Sequence, residues 1–141
     1  MIKFICGSKG SGKTKFLIDM ANSDIKAGNG NIAFIDVDDK HILTLDYSVR
    51  LINAMEFNIR SIESFYGFLC GIIGGDYDVE KVYVDGIYNL VEIKSEDLES
   101  LAKKLEMISQ KFNTDFFIGL DYTLDKLPES LREYSEEIKD K

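Results

Sequence analysis

Hydrophobic residues along this chain alternate between short continuous runs and stretches in which they recur every three or four positions. The runs Ile2 to Cys6, Ile32 to Val37, Lys81 to Gly86 and Phe116 to Leu120 are mostly apolar, as strands buried on both faces are. Between them, Phe16, Leu17, Met20, Ala21 and Ile25 predict a first helix. Phe65, Phe68, Leu69, Ile72 and Ile73 predict a second, opened by Ser61 as N-cap and stopped at Gly74-Gly75. Leu98, Leu101, Ala102, Leu105, Ile108 and Phe112 predict a third, with Ser95 capping the acidic turn Glu96-Asp97. Pro128 predicts the start of a last helix carrying Leu131, Tyr134 and Ile138, with a charge-rich, fraying tail from Ser135. The stretch from Lys40 to Asn58 has the weakest pattern, and Arg50 to Asn53 reads there as a short edge strand.

Strands alternating with helices imply an α/β fold: a mostly parallel sheet of four to five strands with helices on both faces. Such sheets bind ligands beyond the carboxyl ends of their strands. On this reading Asp36, Asp85 and Asp121 share that edge. A single domain over residues 1–141 accounts for all the elements.

The specific chemistry lies between the first strand and the first helix. Gly7-Ser8-Lys9-Gly10-Ser11-Gly12-Lys13-Thr14 matches Gly-x-x-x-x-Gly-Lys-Ser/Thr at every fixed position, in the order strand, loop, helix. Glycines permit positive-φ turns that aim successive N–H groups inward, and a helix N-terminus adds about half a positive charge. The pattern predicts a bound nucleoside triphosphate, with Lys13 at its β- and γ-phosphates and the Thr14 hydroxyl on a Mg²⁺ ion. Lys9 does not stand directly after the first glycine, so it reads as loop charge. Asp85, at the end of the third main strand, fits the second nucleotide-binding motif, in which an acid holds Mg²⁺ through a water or assists Thr14.

Composition removes several alternatives. A net charge of −8 argues against broad electrostatic binding to nucleic acid or anionic lipid, and leaves room only for a local basic patch. The apolar run from Phe65 to Ile73, interrupted by two glycines, falls short of the roughly 20 residues a membrane span needs. Cys6 and Cys70 lie in apolar segments without metal-ligand spacing and read as buried thiols. With no secretory pattern at Met1, these features predict a cytoplasmic location. His41 stands beside Asp38 and Asp39, but no second His or Cys at ligand spacing makes it a metal site. Tyr83, Phe116 and Phe117 read as core.

With those motifs in hand, the chain resembles small stand-alone bacterial P-loop proteins labelled ATP-binding and sometimes twitching-motility PilT-like. The resemblance rests on GSKGSGKT at 7–14, FIDVDD at 34–39, FYGFLCGII at 65–73, VYVDGI at 82–87 and LDYTLDKLPE at 120–129. It implies a three-layer P-loop NTPase domain that binds ATP and Mg²⁺; the Asp- and His-rich boxes of the retraction motors are absent. The chain also looks like a minimal member of the RecA and thymidine kinase-like P-loop group, where a water-activating glutamate often follows the second-motif acid. Here that residue is Gly86, so fast hydrolysis would require Asp36, Asp38 or Asp121 instead, and slow turnover is expected.

Three functions remain open on this reading. The first is a Mg²⁺-dependent ATP-binding protein with slow hydrolysis serving a regulatory or assembly step, acting with a protein partner or further copies of itself. The second is a small-molecule kinase using Asp36 or Asp38 as base, and the third a nucleotide-binding adaptor without turnover. Arg50, Arg60 and Arg132 are too dispersed to form the arginine lid of a kinase. The guanine-specifying Asn/Thr-Lys-x-Asp motif is missing, which makes adenine the default base.

Overall fold

A computed structural model describes residues 1–38, 40 and 43–139, and its strands form one all-parallel sheet. The elements run β1 (Ile2–Cys6), α1 (Lys13–Lys26), β2 (Ile32–Asp36), β3 (Arg50–Asn53), α2 (Ile62–Gly75), β4 (Lys81–Val84), α3 (Ser95–Phe112), β5 (Asp115–Leu120) and β6 (Ser135–Glu137). Their spatial order is β3-β2-β4-β5-β1-β6. This is a three-layer α/β arrangement, with six strands among the described residues rather than four to five.

Strand alternation sorts the core onto two faces. Phe4, Val82, Val84, Phe116 and Ile118 pack with residues of α2 and α3, whereas Ile5, Phe34, Tyr83 and Phe117 pack with those of α1. On the α1 side the Tyr83 ring stacks between Phe34 and Phe117, with centroids 6.1 and 4.8 Å away. Leu45 and Val49 complete that face from the segment before β3. Two apolar residues four apart can plug a gap without belonging to a helix or strand, which is why this stretch carried so little periodicity.

The sixth strand corrects the expectation for the C-terminal region. Glu129–Tyr134 winds as a 3₁₀ helix, and Ser135–Glu137 then extends along β1 in place of the predicted helix and solvated tail. Without that strand the outer edge of β1 would leave its N–H and C=O groups unpaired. Ion pairing of Lys3 with Glu136 at 3.5 Å and acceptance of the Leu124 N–H by Glu137 at 2.9 Å fix the register. Tertiary pairing here outweighs the helix propensity of two glutamates.

Caps differ between helices. The Ser61 hydroxyl accepts from Ser64 N and completes a capping box at α2. Ser95 is the first helical residue of α3 rather than its cap, and the Asp97 carboxylate accepts from Lys94 N at 3.3 Å. At α1 the cap residue is Gly12, in a left-handed conformation at φ 99°, and no side chain caps the first turn. Among the described residues, no helix is long and apolar enough to cross a membrane.

Candidate functional site

The loop from Gly7 to Gly12 leaves the carboxyl end of β1 and turns directly into α1. Gly7, Gly10 and Gly12 all have positive φ, at 155°, 82° and 99°. At Gly7 space as well as φ demands glycine: a Cβ there would meet Ser11 Oγ and stand 2.6 Å from the Ile138 carbonyl oxygen. Gly7 N donates to Tyr122 O at 2.8 Å and Ile138 N to Cys6 O at 2.8 Å, so the strand ends on either side of β1 brace the loop. Ser8, Lys9 and Gly10 are exposed at its crest, while Ser11 is buried with its hydroxyl finding no hydrogen-bond partner among the described residues.

Lys13 folds back under this loop. Its ammonium donates to Gly7 O at 2.8 Å and Ser8 O at 2.9 Å, and the residue is only 4% exposed. Burial lowers its pKa from the usual lysine value, opposed by the attraction of Asp121 and then Asp85. Both of its hydrogen bonds therefore go to neutral carbonyls rather than to a carboxylate. Thr14 Oγ1, one residue on, donates to Asp85 Oδ2 at 2.7 Å. Residues 71 positions apart in sequence are thus joined at adjacent strand ends.

The remaining acids fall into two groups. Asp36 ends β2 and Asp121 follows β5; with Asp85 they exert electrostatic effects on the Tyr88 phenol, whose pKa burial and then these three carboxylates raise. Asp36 is buried and its Oδ1 accepts from Val37 N at 2.8 Å; Asp121 is exposed. Asp38 serves its own loop, accepting from Lys40 N at 2.9 Å. Asp39 and His41 lie outside the described residues.

Tyr88 escaped the sequence reading. It sits on a 3₁₀ turn, Ile87–Asn89, with its ring centroid 5.7 Å from the Lys13 ammonium. Together with Gly10, Gly12, Thr14, Ile18 and Thr44 it lines a cleft of about 590 Å³ in front of the loop. Its place three residues after Asp85 was the available signal. Gly86 has φ 75°, and a Cβ there would lie 3.0 Å from Val37 Cγ2, so the backbone turn that carries Tyr88 requires glycine where a glutamate could otherwise stand. Cys6, behind the loop, is a buried thiol as expected, its pKa pushed up to about 11 by burial; Cys70 is only half-buried.

The donor set fits a hard cation next to an anion. Thr14 and Asp85 offer adjacent oxygen ligands, and no group of three or more His, Cys, Asp or Glu forms a protein-only metal cage among the described residues. A cation held here would take its other ligands from water and from the anion it accompanies.

Strand order, loop and helix define the class: a RecA-like P-loop fold. Among solved structures, a KaiC-like protein from the hyperthermophilic archaeon Pyrococcus horikoshii is similar at a TM-score of 0.66 and 12% identity, over 99% of this chain and 74% of that one. No protein-family model and no curated protein sequence matches the chain.

Proposed function

We propose that this protein binds Mg²⁺-ATP in the cleft before residues 7–14 and uses nucleotide occupancy, with slow hydrolysis, in a regulatory or assembly step. The observation that carries the reading is the buried Lys13 ammonium, bonded to two loop carbonyls beside a helix start that no side chain caps. An ammonium in no ion pair among the described residues and a row of N–H groups at a helix N-terminus both favour a polyanion.

In this reading the backbone N–H groups of Gly10, Ser11, Gly12 and Lys13 hold the phosphates, and Lys13 gives up its carbonyl bonds to reach them as a point charge. Thr14 and Asp85 hold the magnesium ion, which when bound supplies charge neutralisation to the terminal phosphates. Tyr88 covers the Lys13 side of the cleft. Gly86, locked in a turn that a glutamate would strain, supports slow turnover: the chain has no base at the position where the resembled group often places one. Asp36, buried and accepting from Val37 N, and Asp38, accepting from Lys40 N, each serve the local backbone and give the kinase alternative little support.

The test is a thermal-shift and phosphate-release experiment with ATP, with and without Mg²⁺. Bound nucleotide should raise the melting temperature by mass action, by about 2.7 kcal/mol of stability at a hundredfold excess over Kd. Lys13→Ala should remove most of that rise. Full retention of the shift in this variant would contradict the assignment.

A further inference from the structure

The outward face of α2 departs from what a helix exposed to water requires. Gly67, Gly71, Gly74 and Gly75 all point outward, and a Cβ at any of them would meet no atom of this chain within 4 Å. Each glycine lowers helix propensity relative to alanine, and packing within the chain explains none of them. No charged residue occurs from Ser64 to Gly75, although 30% of the whole chain is charged. Exposed helix faces are ordinarily polar.

Beside this face runs an apolar groove of about 490 Å³, bounded by Ile52 on the edge strand β3, Phe57, Phe68 and Ile72, with Arg50 at its end near Gly75. Phe57 is 56% exposed and its ring lies 5.1 Å from that of Phe68; the neighbouring Met55 is 60% exposed. Contiguous exposed apolar surface of this kind marks an interface.

The charges around the groove identify the occupant. Arg50 and Glu63 are exposed, and neither forms an ion pair among the described residues. Glu63 lies on the same helical face as Gly67 and Gly71, one turn before Gly67. Residues 67 and 71 are equidistant from Leu69 in sequence, and so are residues 63 and 75. Two copies of α2 crossing antiparallel at that midpoint would set Gly67 against the partner's Gly71 and bring Glu63 to the partner's Gly75, beside its Arg50. The face is therefore complementary to itself in shape and in charge, as a twofold interface must be.

From this we infer that the protein forms a twofold dimer through α2, with the glycines allowing close backbone approach, Phe57 and Phe68 filling the flanks, and Arg50 pairing with Glu63 across the dyad. The contact is separate from the cleft at residues 7–14 and does not depend on nucleotide.

Sedimentation equilibrium and light scattering on the whole chain test the inference. Wild type should show a concentration-dependent mass approaching two copies, and Gly71→Glu should be a folded monomer, since its side chain meets only open space in the single chain. Arg50→Glu and Glu63→Arg should each weaken the dimer about tenfold, because symmetry places the pair twice. The doubly substituted Arg50→Glu/Glu63→Arg chain should recover most of the loss. A monomer at millimolar wild-type concentration, an assembly other than two copies, a dimer that Gly71→Glu leaves intact, or no recovery in the double variant would each overturn the inference.

Discussion

The two ends of β4 carry the same three kinds of group and use them differently. Where the strand begins, Lys81 pairs with Asp24 at 3.0 Å and the Tyr83 hydroxyl donates to the same carboxylate. Beyond its far end, Thr14 donates to Asp85, but Lys13 bonds to backbone carbonyls instead of to the acid. The first cluster matches its positive and negative charges in direct contact and leaves nothing for a ligand. The second brings Lys13 into no ion pair among the described residues, which on the proposed reading lets a phosphate and a metal ion each find the opposite charge. The positive-φ glycines at 7, 10 and 12 curl the loop over Lys13, whereas the Lys81 end meets the last turns of α1 through Asp24.

Substitutions at the two ends should therefore have crossed effects. The largest is expected from Lys13→Ala, which should weaken nucleotide binding about a hundredfold, equivalent to ~3 kcal/mol of charge-assisted hydrogen bonding, while the unliganded melting temperature changes little. Titration calorimetry and a melting curve on the same sample check both halves. Asp24→Ala should do the reverse: it leaves Lys81 and the Tyr83 hydroxyl without their acceptor, costs about 1–3 kcal/mol in denaturant unfolding, and keeps the affinity of wild type. A smaller effect is expected from Asp85→Asn, about tenfold on binding with Mg²⁺ and less without it, measured by titrations with and without a chelator; equal losses would make Asp85 purely structural.

The smallest effect is one of pH, and its sign separates the ends. Burial lowers the Lys13 pKa below the 10.5 of an ordinary lysine, so the unfolded chain holds that proton more tightly. Its contribution to stability is present above pH 10.5 and is lost as pH falls through the lowered folded value. Burial and then Asp24 push the Tyr83 pKa far above the usual 10.0, so its contribution is present below that value and lost as pH rises beyond it. Tyr83→Phe should flatten the alkaline fall in stability, and Lys13→Met should remove the opposing gain; denaturant titrations across the alkaline range measure each slope.

The loop end of this comparison was legible in the sequence and the Lys81 end was not. Residues 7–14 match a motif of fixed spacing, and Asp85 follows from the strand before it. Asp24 and Tyr83, 59 positions apart, belong to a helix and a strand whose pairing only the fold determines. The same limit hid Tyr88, and it turned the stretch after Pro128 from a predicted helix into β6, where an open edge of β1 outweighed local preference. Strands β1, β2, β4 and β5 and the three helices were readable because burial on two faces or one leaves a periodicity; β3, with no buried residue, leaves little, and Leu45 and Val49 leave none.

The most direct test is calorimetric titration of Mg²⁺-ATP into wild type and Lys13→Ala, with circular dichroism to show that both are folded. Saturable heat at one site per wild-type chain, greatly weakened in the variant, is the result expected of a phosphate cage built around that lysine. Absence of heat from folded wild type at millimolar nucleotide, or equal binding by the two proteins, would contradict it.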